Sequence, residues 1–182
     1  MARALWFASL RPDEHTDVTR FVEGMSESVP TMHASAVLVG AKAVLIRGPS
    51  GSGKSQLALT LLQAAQAGHL RFARLVADDR VHVEAVNGRL LVRAASALTG
   101  LLELRGSGIQ SIKAEPVAAI GYVVDLAAED AARLPERQSQ EAIIEGIRLP
   151  RLAVASGQEA LPRLLALLQT PIGRHPGAVQ PP

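Results

Sequence analysis

Residues 48–55 have the types and spacing of a loop that binds phosphate. They read Gly-Pro-Ser-Gly-Ser-Gly-Lys-Ser and match the pattern G-x-x-x-x-G-K-[ST]. Glycines let successive backbone N–H groups turn toward an anion, because they adopt positive φ without a Cβ clash. Lys54 would reach the outer phosphates of a nucleotide, and the Ser55 hydroxyl suits Mg²⁺ as a ligand. The predicted phosphate-binding residues are Gly48, Pro49, Ser50, Gly51, Ser52, Gly53, Lys54 and Ser55.

The residues on either side of this loop have the composition of a strand and a helix. Residues 43–46 form an unbroken apolar run, which is typical of a buried strand. Residues 56–67 are helix formers, and Gly68 would end that helix. The pattern needs a strand, a loop and a helix in this order. We therefore favour a phosphate-binding loop over a glycine-rich turn that binds nothing.

Two adjacent carboxylates follow the next strand-like run. Asp78 and Asp79 come 24 residues after Lys54. In enzymes with this loop, the strand neighbouring the loop delivers an acid to the metal and to the attacking nucleophile. One carboxylate would serve Mg²⁺, directly or through water, and the other would accept a proton from a substrate hydroxyl. The alternative is a polar junction between a strand and a turn.

Three further residues are candidates for the same site. Glu103 and Arg105 are two apart in an extended segment, so they point the same way, and a Gly-Ser-Gly turn follows them. Glu103 would complete the Mg²⁺ sphere and Arg105 would hold phosphoryl charge. Spacing alone equally fits a surface ion pair. His33 opens the first strand-like run, where a lone histidine more commonly supports local hydrogen bonding than catalysis.

Composition excludes several classes of protein. The 182 residues suffice for one domain with a sizeable core. A net charge of +2 with scattered arginines gives no support for nucleic-acid binding. The chain has no cysteine, which excludes disulfides, zinc–thiolate sites and thiol catalysis. No apolar run approaches the roughly 20 residues of a membrane span, and we identify no signal peptide. We expect a cytoplasmic protein.

The remaining elements predict a mixed sheet. Strand-like runs occupy residues 36–39, 43–46, 72–77, 81–85, 89–92 and 120–126. The break at residues 40–42 and the Asn87-Gly88 pair predict hairpins, so the sheet is not purely parallel. Helices are predicted at residues 55–67 and 158–168. Pro162 conflicts with the second helix, so a kink at this proline and a later start are equally open alternatives. We predict a flexible arm at residues 1–31, one catalytic domain at residues 32–169 and a disordered tail at residues 170–182.

Four segments, taken in order, resemble the catalytic domain of the HPr kinase/phosphorylase family. They are His33 before a strand–loop–strand unit, the loop at 48–55, LVADDRV at 75–81 and LLELRGSGIQSI at 101–112. The last is similar to the family signature E-[IVL]-R-G-x-G-[IV]-x-x-[IV]. Residues 135–137 and 144–150 are similar to diverged forms of later family segments. The resemblance covers about residues 32 to 168.

The resemblance implies a fold and an activity. The fold would be a P-loop α/β domain with a mixed β-sheet flanked by helices, like that of phosphoenolpyruvate carboxykinases. The activity would be ATP-dependent phosphorylation of a serine on HPr, the small phosphocarrier protein of the sugar phosphotransferase system. In the family's reverse reaction, inorganic phosphate removes that group and gives pyrophosphate. The family usually forms homo-oligomers.

The resemblance also assigns roles to residues. His33, Lys54 and the acidic pair would be catalytic, with Asp79 the first choice as proton acceptor. Ser55 and Glu103 would be the Mg²⁺ ligands. Arg137 would be a catalytic arginine. The long form of the family has an N-terminal domain of over a hundred residues, so this chain is similar to the short form. The family's Arg/Pro/Gly-rich loop after the last strand corresponds to residues 152–157, which lack its arginine.

Two rival functions share the phosphate-binding loop. A kinase of a small hydroxyl metabolite would need a closing lid rich in arginine, and no compact segment of the sequence has that composition. A non-catalytic regulatory switch gated by ATP would need the loop but would survive loss of the proton acceptor.

Overall fold

A computed structural model of the protein describes residues 30–104 and 106–169. Within them the elements are β1 (Met32–Val39), β2 (Lys42–Arg47), α1 (Lys54–Gln66), β3 (Ala73–Ala77), β4 (Arg80–Val86), β5 (Arg89–Ala94), β6 (Leu101–Leu104), β7 (Gly108–Ser111), β8 (Ala118–Leu126), β9 (Glu141–Ile144), β10 (Ile147–Val154) and α2 (Leu161–Gln169). Short 3₁₀ helices span Ser96–Leu98 and Arg137–Gln140. The predicted arm, except its last two residues, and the predicted tail lie outside the described residues, so the division into three parts stays a prediction.

The main sheet contains both parallel and antiparallel pairs, which confirms the predicted mixed sheet. Strands β3, β1, β2, β8 and β10 lie side by side. Strand β1 is antiparallel to both β2 and β3, whereas β8 is parallel to β2 and to β10. Strand β4 pairs with the start of β1, and β5 joins β4 to the start of β8, which closes a ring of five strands. Strand β9 pairs with β10, and β6 and β7 form a separate hairpin.

Alternate residues of the central strands face two different hydrophobic clusters. Ala34, Ala36 and Leu38 of β1 are buried in the cluster that the ring encloses. Val37, between them, packs with helices α1 and α2 on the opposite face, where Leu61 and Leu164 are fully buried. This two-residue period is that of a strand buried on both faces. Neither helix in the described part of the chain has the length and apolarity of a membrane-spanning segment.

The order of the strands differs from the sequence expectation in one respect. The strand that carries the acidic pair, β3, is not adjacent to the loop strand β2, because β1 lies between them. Since β1 is antiparallel to both, β2 and β3 run in the same direction. Their carboxyl ends therefore meet at one edge of the sheet, together with the amino end of β1. The sequence did not indicate this order, because a local pattern does not identify a strand's neighbours.

Both predicted hairpins are confirmed. Val39 pairs with Lys42 across a two-residue turn. Asn87 and Gly88 have φ angles of 48° and 73°, as a type I′ turn requires. Helix α1 agrees with the prediction to within one residue at each end. Helix α2 takes the later of the two starts, which places Pro162 in its first turn, where a missing N–H costs little.

Four strands were not predicted. Strands β6 and β7 flank the Gly-Ser-Gly turn, and β9 and β10 form a hairpin near the end of the domain. Pro150 argues against a strand in the sequence, but β10 changes partner there, from β9 to β8. Residues 152–154 belong to β10. The first half of residues 152–157, the segment that corresponds to the family's loop after the last strand, therefore lies in a strand.

A network of ion pairs joins β2, β8 and β10. It lies on the opposite side of the loop from the acidic pair. Asp125 of β8 accepts hydrogen bonds from Nε and Nη2 of Arg47, both at 2.7 Å, and from Nε of Arg151 at 2.5 Å. Arg151 also binds both carboxylate oxygens of Asp130 and the carbonyl of Ser139. Burial acts to raise the pKa of Asp125, but the hydrogen bonds from the two arginines outweigh it and hold that pKa below its usual value. The network fixes β2 immediately before the loop begins.

We expect Asp125→Asn to lower the free energy of unfolding by about 3 kcal/mol at pH 7, because two guanidinium groups lose their shared counter-charge. The folded-state pKa lies below the unfolded value of about 3.9. The contribution of the charge is therefore complete above that pH and is lost as the pH falls through the folded value. Urea unfolding from pH 7 to pH 3 should show the difference between parent and variant shrinking below about pH 4.

Glu141→Gln is the matched control, because the Glu141–Arg148 pair is exposed. Its effect should stay within about 1 kcal/mol at pH 7. A difference between parent and Asp125→Asn that is constant over the whole pH range would show that the variant acts through packing and not through charge.

Candidate active site

The loop at residues 48–55 forms the turn from β2 into α1. Gly48, Gly51 and Gly53 all have positive φ, at 149°, 80° and 94°. A Cβ on Gly48 would lie 2.6 Å from Ser52 Oγ and 2.8 Å from the carbonyl oxygen of Leu126, so no other residue fits there without a shift. No side chain of the described chain caps the start of α1 at Gly53. The N–H groups of the first turn, at the positive end of the helix, are thus available to a ligand.

Lys54 folds back across the loop. Its Nζ donates hydrogen bonds to the carbonyl oxygens of Gly48 and Pro49, each at 3.0 Å, and the residue is only 6% exposed. Burial lowers the pKa of Lys54 from its usual value, while the negative charges of Asp78 and Asp79 act in the opposite direction. The ammonium group therefore lies between the loop and the acidic pair, where it can interact with an anion bound to the loop.

Asp78 is buried and is held by three donors. Its Oδ1 accepts hydrogen bonds from the hydroxyls of Ser35, at 2.5 Å, and Ser55, at 3.0 Å. Its Oδ2 accepts the backbone N–H of Glu103 at 3.3 Å. The donors come from β1, α1 and β6, and Asp78 as a residue is 3% exposed. This arrangement fixes the orientation of Asp78 and leaves it little freedom to meet a substrate.

Asp79 has a different environment. Its side chain is 56% exposed, and its Oδ1 lies 3.3 Å from Nε2 of His33. The residue has a φ of 68°, the left-handed conformation that is uncommon outside glycine. The structure thus separates two neighbouring carboxylates into one that is buried and hydrogen-bonded and one that is accessible and paired with a histidine.

These residues line a single cleft of about 370 Å³. Most of the predicted site residues that the structure describes are in its lining: His33, Ser50, Gly51, Gly53, Lys54, Ser55, Asp78, Asp79 and Glu103. The cleft is thus a meeting point of β1, the loop, the end of β3 and β6. A larger cavity, of about 540 Å³, lies beside Gly48. Arginines Arg47 and Arg151 in its lining are neutralised by Asp125 and Asp130, so we place the chemistry in the smaller cleft.

Two predicted arginines are not placed by the structure. Arg105 lies outside the described residues. The backbone of Arg137 begins the second 3₁₀ helix, but its side chain is outside the described part. Conversely, sequence reasoning missed Ser35, which directly contacts Asp78. The only available signal was its spacing, two residues after His33 on a strand, which puts both side chains on one face.

The donor set in the cleft fits Mg²⁺. Among residues 30–104 and 106–169, no group of three or more His, Cys, Asp or Glu side chains is arranged to hold a metal ion by itself. Mg²⁺ generally takes only one or two protein carboxylates and completes its shell with water and phosphate oxygens. The hydroxyl of Ser55 and the carboxylates of Asp78 and Glu103 are hard oxygen donors of this kind.

Comparisons with known proteins agree with this architecture. The family model described as HPr Serine kinase C-terminal domain matches residues 25–155. An HPr kinase/phosphorylase from Levilactobacillus brevis is 42% identical over 95 residues, which cover 52% of this chain and 28% of the relative. One from Clostridium perfringens is 35% identical over 117 residues, which cover 62% of this chain and 35% of the relative. The chain thus spans about a third or less of the length of these relatives.

A solved structure shows the same fold. It is described as the structure of the Hpr(Ser) kinase/phosphatase from Coxiella burnetii, and it superimposes with a TM-score of 0.60 at 24% sequence identity. The match covers 76% of this chain and 87% of that chain. Because the family model spans well over half of the sequence, the chain belongs to the HPr serine kinase C-terminal domain family.

Proposed function

We propose that this domain transfers the γ-phosphoryl group of ATP to a serine hydroxyl of the phosphocarrier protein HPr. One observation carries the proposal. The cleft has a glycine-rich loop with a buried lysine on one side and an accessible carboxylate, paired with a histidine, on the other. The curated relatives that contain this domain are named HPr kinase/phosphorylase, which supports HPr as the substrate.

The loop would hold the phosphates of ATP. Its backbone N–H groups and the start of α1 supply donors, and Lys54 adds a positive charge. Ser52 adds a further donor, because its Oγ is buried and has no hydrogen-bond partner among the described residues. A phosphate oxygen would satisfy this hydroxyl, which otherwise pays the free-energy cost of a buried polar group.

Ser55 and Glu103 would bind Mg²⁺, with Asp78 contacting it directly or through water. When bound, Mg²⁺ neutralises negative charge on the oxygens of the transferred phosphoryl group. Asp78 keeps the hydroxyl of Ser55 oriented through their hydrogen bond. Arg105 and Arg137 are proposed to add positive charge near the transferred group, in accord with the family resemblance.

Asp79 would accept the proton of the attacking serine. Asp78 is engaged by three donors, whereas Asp79 is open to the cleft. His33 beside it would hold the carboxylate in place. A general base of this kind is worth roughly 10²–10⁴ in rate. The contacts of Asp78 and Asp79 thus support Asp79 as the proton acceptor, which is the residue that the family resemblance favours.

The same groups would serve the reverse reaction, which the second half of the relatives' name suggests. Inorganic phosphate would attack the phosphorus of phosphoserine, the P–O bond to serine would break, and pyrophosphate would form. Asp79 would accept the proton of the attacking hydrogen phosphate and pass it to the serine oxygen. We propose phosphorolysis as a second activity of the same cleft.

The central experiment incubates the protein with γ-labelled ATP, Mg²⁺ and purified HPr and then locates the label. We expect the label on a serine of HPr. Label on a small molecule alone would instead support a metabolite kinase. Nucleotide binding with no transfer to any acceptor would support an ATP-gated switch.

Asp79→Asn should lower the rate of transfer by at least about 10²-fold, because the amide cannot accept the serine proton. The affinity for Mg-ATP should stay within a few-fold, since Asp79 is not assigned to the nucleotide. Initial rates and nucleotide titrations measure the two effects separately. Glu159→Gln, an equivalent change at an exposed position, is the control and should leave both values unchanged. Persistent transfer by Asp79→Asn would mean that Asp78 is the base.

Gly48→Ala should weaken ATP binding by at least tenfold, because its Cβ would displace Ser52 and the loop. Gly40→Ala is the matched control. Gly40 also has positive φ, at 60°, but nothing lies within 4 Å of an added Cβ. Gly40→Ala should lose stability from backbone strain alone, whereas Gly48→Ala should lose more because of the clash, and only Gly48→Ala should lose affinity. Equal affinities in a nucleotide titration would contradict the role of the loop.

A further inference from the structure

Ser35 is a fully buried hydroxyl on the central strand of the sheet. Its neighbours along β1, Ala34 and Ala36, are apolar core residues, and all three are 0% exposed. A buried hydroxyl costs free energy unless it finds a hydrogen-bond partner. Here the partner is Oδ1 of Asp78, at 2.5 Å, on the wall of the cleft. In the sequence Ser35 has the appearance of a small core residue, but in the structure it directly contacts Asp78 of the cleft.

The register of β1 explains this contact. Ala36 pairs with Ala77 in an antiparallel arrangement, so Ser35 lies opposite Asp78. His33 is two residues away on the same face of β1 and contacts Asp79. One face of one strand thus supports both members of the acidic pair, each through a separate side chain.

The hydroxyls of Ser35 and Ser55 both donate to the same carboxylate oxygen. Ser55 donates to Oδ1 of Asp78 at 3.0 Å from the first turn of α1. A serine hydroxyl has one hydrogen and two lone pairs. Since the hydrogen of Ser55 is used on Asp78, its lone pairs are left for the cleft. Their direction depends on where Asp78 is held, and Ser35 is the side-chain donor that holds it from β1.

We propose that Ser35 is a positioning residue for the cation site. It holds Asp78 so that the hydroxyl of Ser55 directs its lone pairs to the Mg²⁺ that accompanies the nucleotide. This inference rests on the proposed function, because it assumes that the cleft binds Mg-ATP. It is separate from the choice of phosphate acceptor and from the identity of the base.

The test measures binding of a fluorescent ATP analogue to the full 182-residue chain at increasing Mg²⁺ concentrations, and also in EDTA. Ser35→Ala should raise the half-saturating Mg²⁺ concentration about tenfold, as loss of an outer-shell partner does at other metal sites. Binding in EDTA should be unchanged. Ser35→Thr keeps the hydroxyl and suits a strand, so it should restore the concentration to within about twofold of the parent.

Val37→Ala is the control for stability. Val37 lies on the same strand and face and is fully buried, but it packs only in the core. It should lower Tm without changing the Mg²⁺ concentration. A second measurement uses Asp78→Ala as the background, where adding Ser35→Ala should have no further effect, because Ser35 acts only through Asp78.

Two results would overturn the inference. One is a parent-like Mg²⁺ concentration for Ser35→Ala, with a change in Tm alone. The other is a Ser35→Thr variant with a parent-like Tm whose half-saturating Mg²⁺ concentration stays as high as that of Ser35→Ala. A parent protein whose nucleotide binding does not respond to Mg²⁺ would instead overturn the proposed function itself, and this inference with it.

Discussion

The buried carboxyl group of Asp78 is the constraint on which the cleft depends. A carboxylate that is 3% exposed is tolerable only if hydrogen-bond donors replace the water that it has lost. Those donors belong to β1, α1 and β6, which are separate elements of the chain. Satisfying one buried group therefore brings together the central strand β1, the helix after the loop and the segment that carries Glu103. Assembly of the site and stability of the fold depend on the same contacts.

The loop is supported on two flanks by different kinds of interaction. On one flank, Asp78 accepts hydrogen bonds mainly from neutral hydroxyls and keeps part of its capacity for a cation. On the other, Asp125 is fully matched by Arg47 and Arg151, and the pKa of Asp125 is lowered accordingly. The charge of Asp125 is thus matched by arginines, whereas no arginine in the described part of the chain is among the hydrogen-bond donors of Asp78. The glycine-rich turn lies between these two supports.

Features that depend on local chemistry could be predicted from the sequence, and features that depend on long-range pairing could not. The loop, helix α1 and the Asn87-Gly88 turn each follow from a few adjacent residues. The position of β1 between β2 and β3 does not, because no short pattern specifies a strand's neighbours. Strand β10 was missed since its proline and its arginines argue locally against a strand. Arg151 becomes acceptable there only through carboxylates 21 and 26 residues away in the sequence.

The site shows the same division between local and long-range information. His33, Lys54 and the acidic pair were predicted because motifs and a family resemblance mark them, and they line one cleft. Ser35 carries no such mark, since a serine among alanines and valines has the appearance of a small core residue. Its proposed role follows only from a partner 43 positions away. No local pattern in the sequence indicates such a contact.

The path of the backbone gives the two adjacent carboxylates different environments. Strand β3 pairs with the later part of β1, and β4 pairs with its first two residues, so the acidic pair lies at the corner between them. Asp78 directly follows the last residue of β3, and its buried carboxylate accepts hydrogen bonds from Ser35, Ser55 and the backbone of Glu103. Asp79 takes a left-handed conformation, which costs about 1 kcal/mol or more for a non-glycine residue, and its side chain leaves the strand for the cleft. Because the pairing of β1 with β3 and β4 holds both sides of the corner, this strain is maintained. The chain thus keeps one carboxylate buried and hydrogen-bonded and its neighbour exposed, which is the difference on which their proposed roles rest.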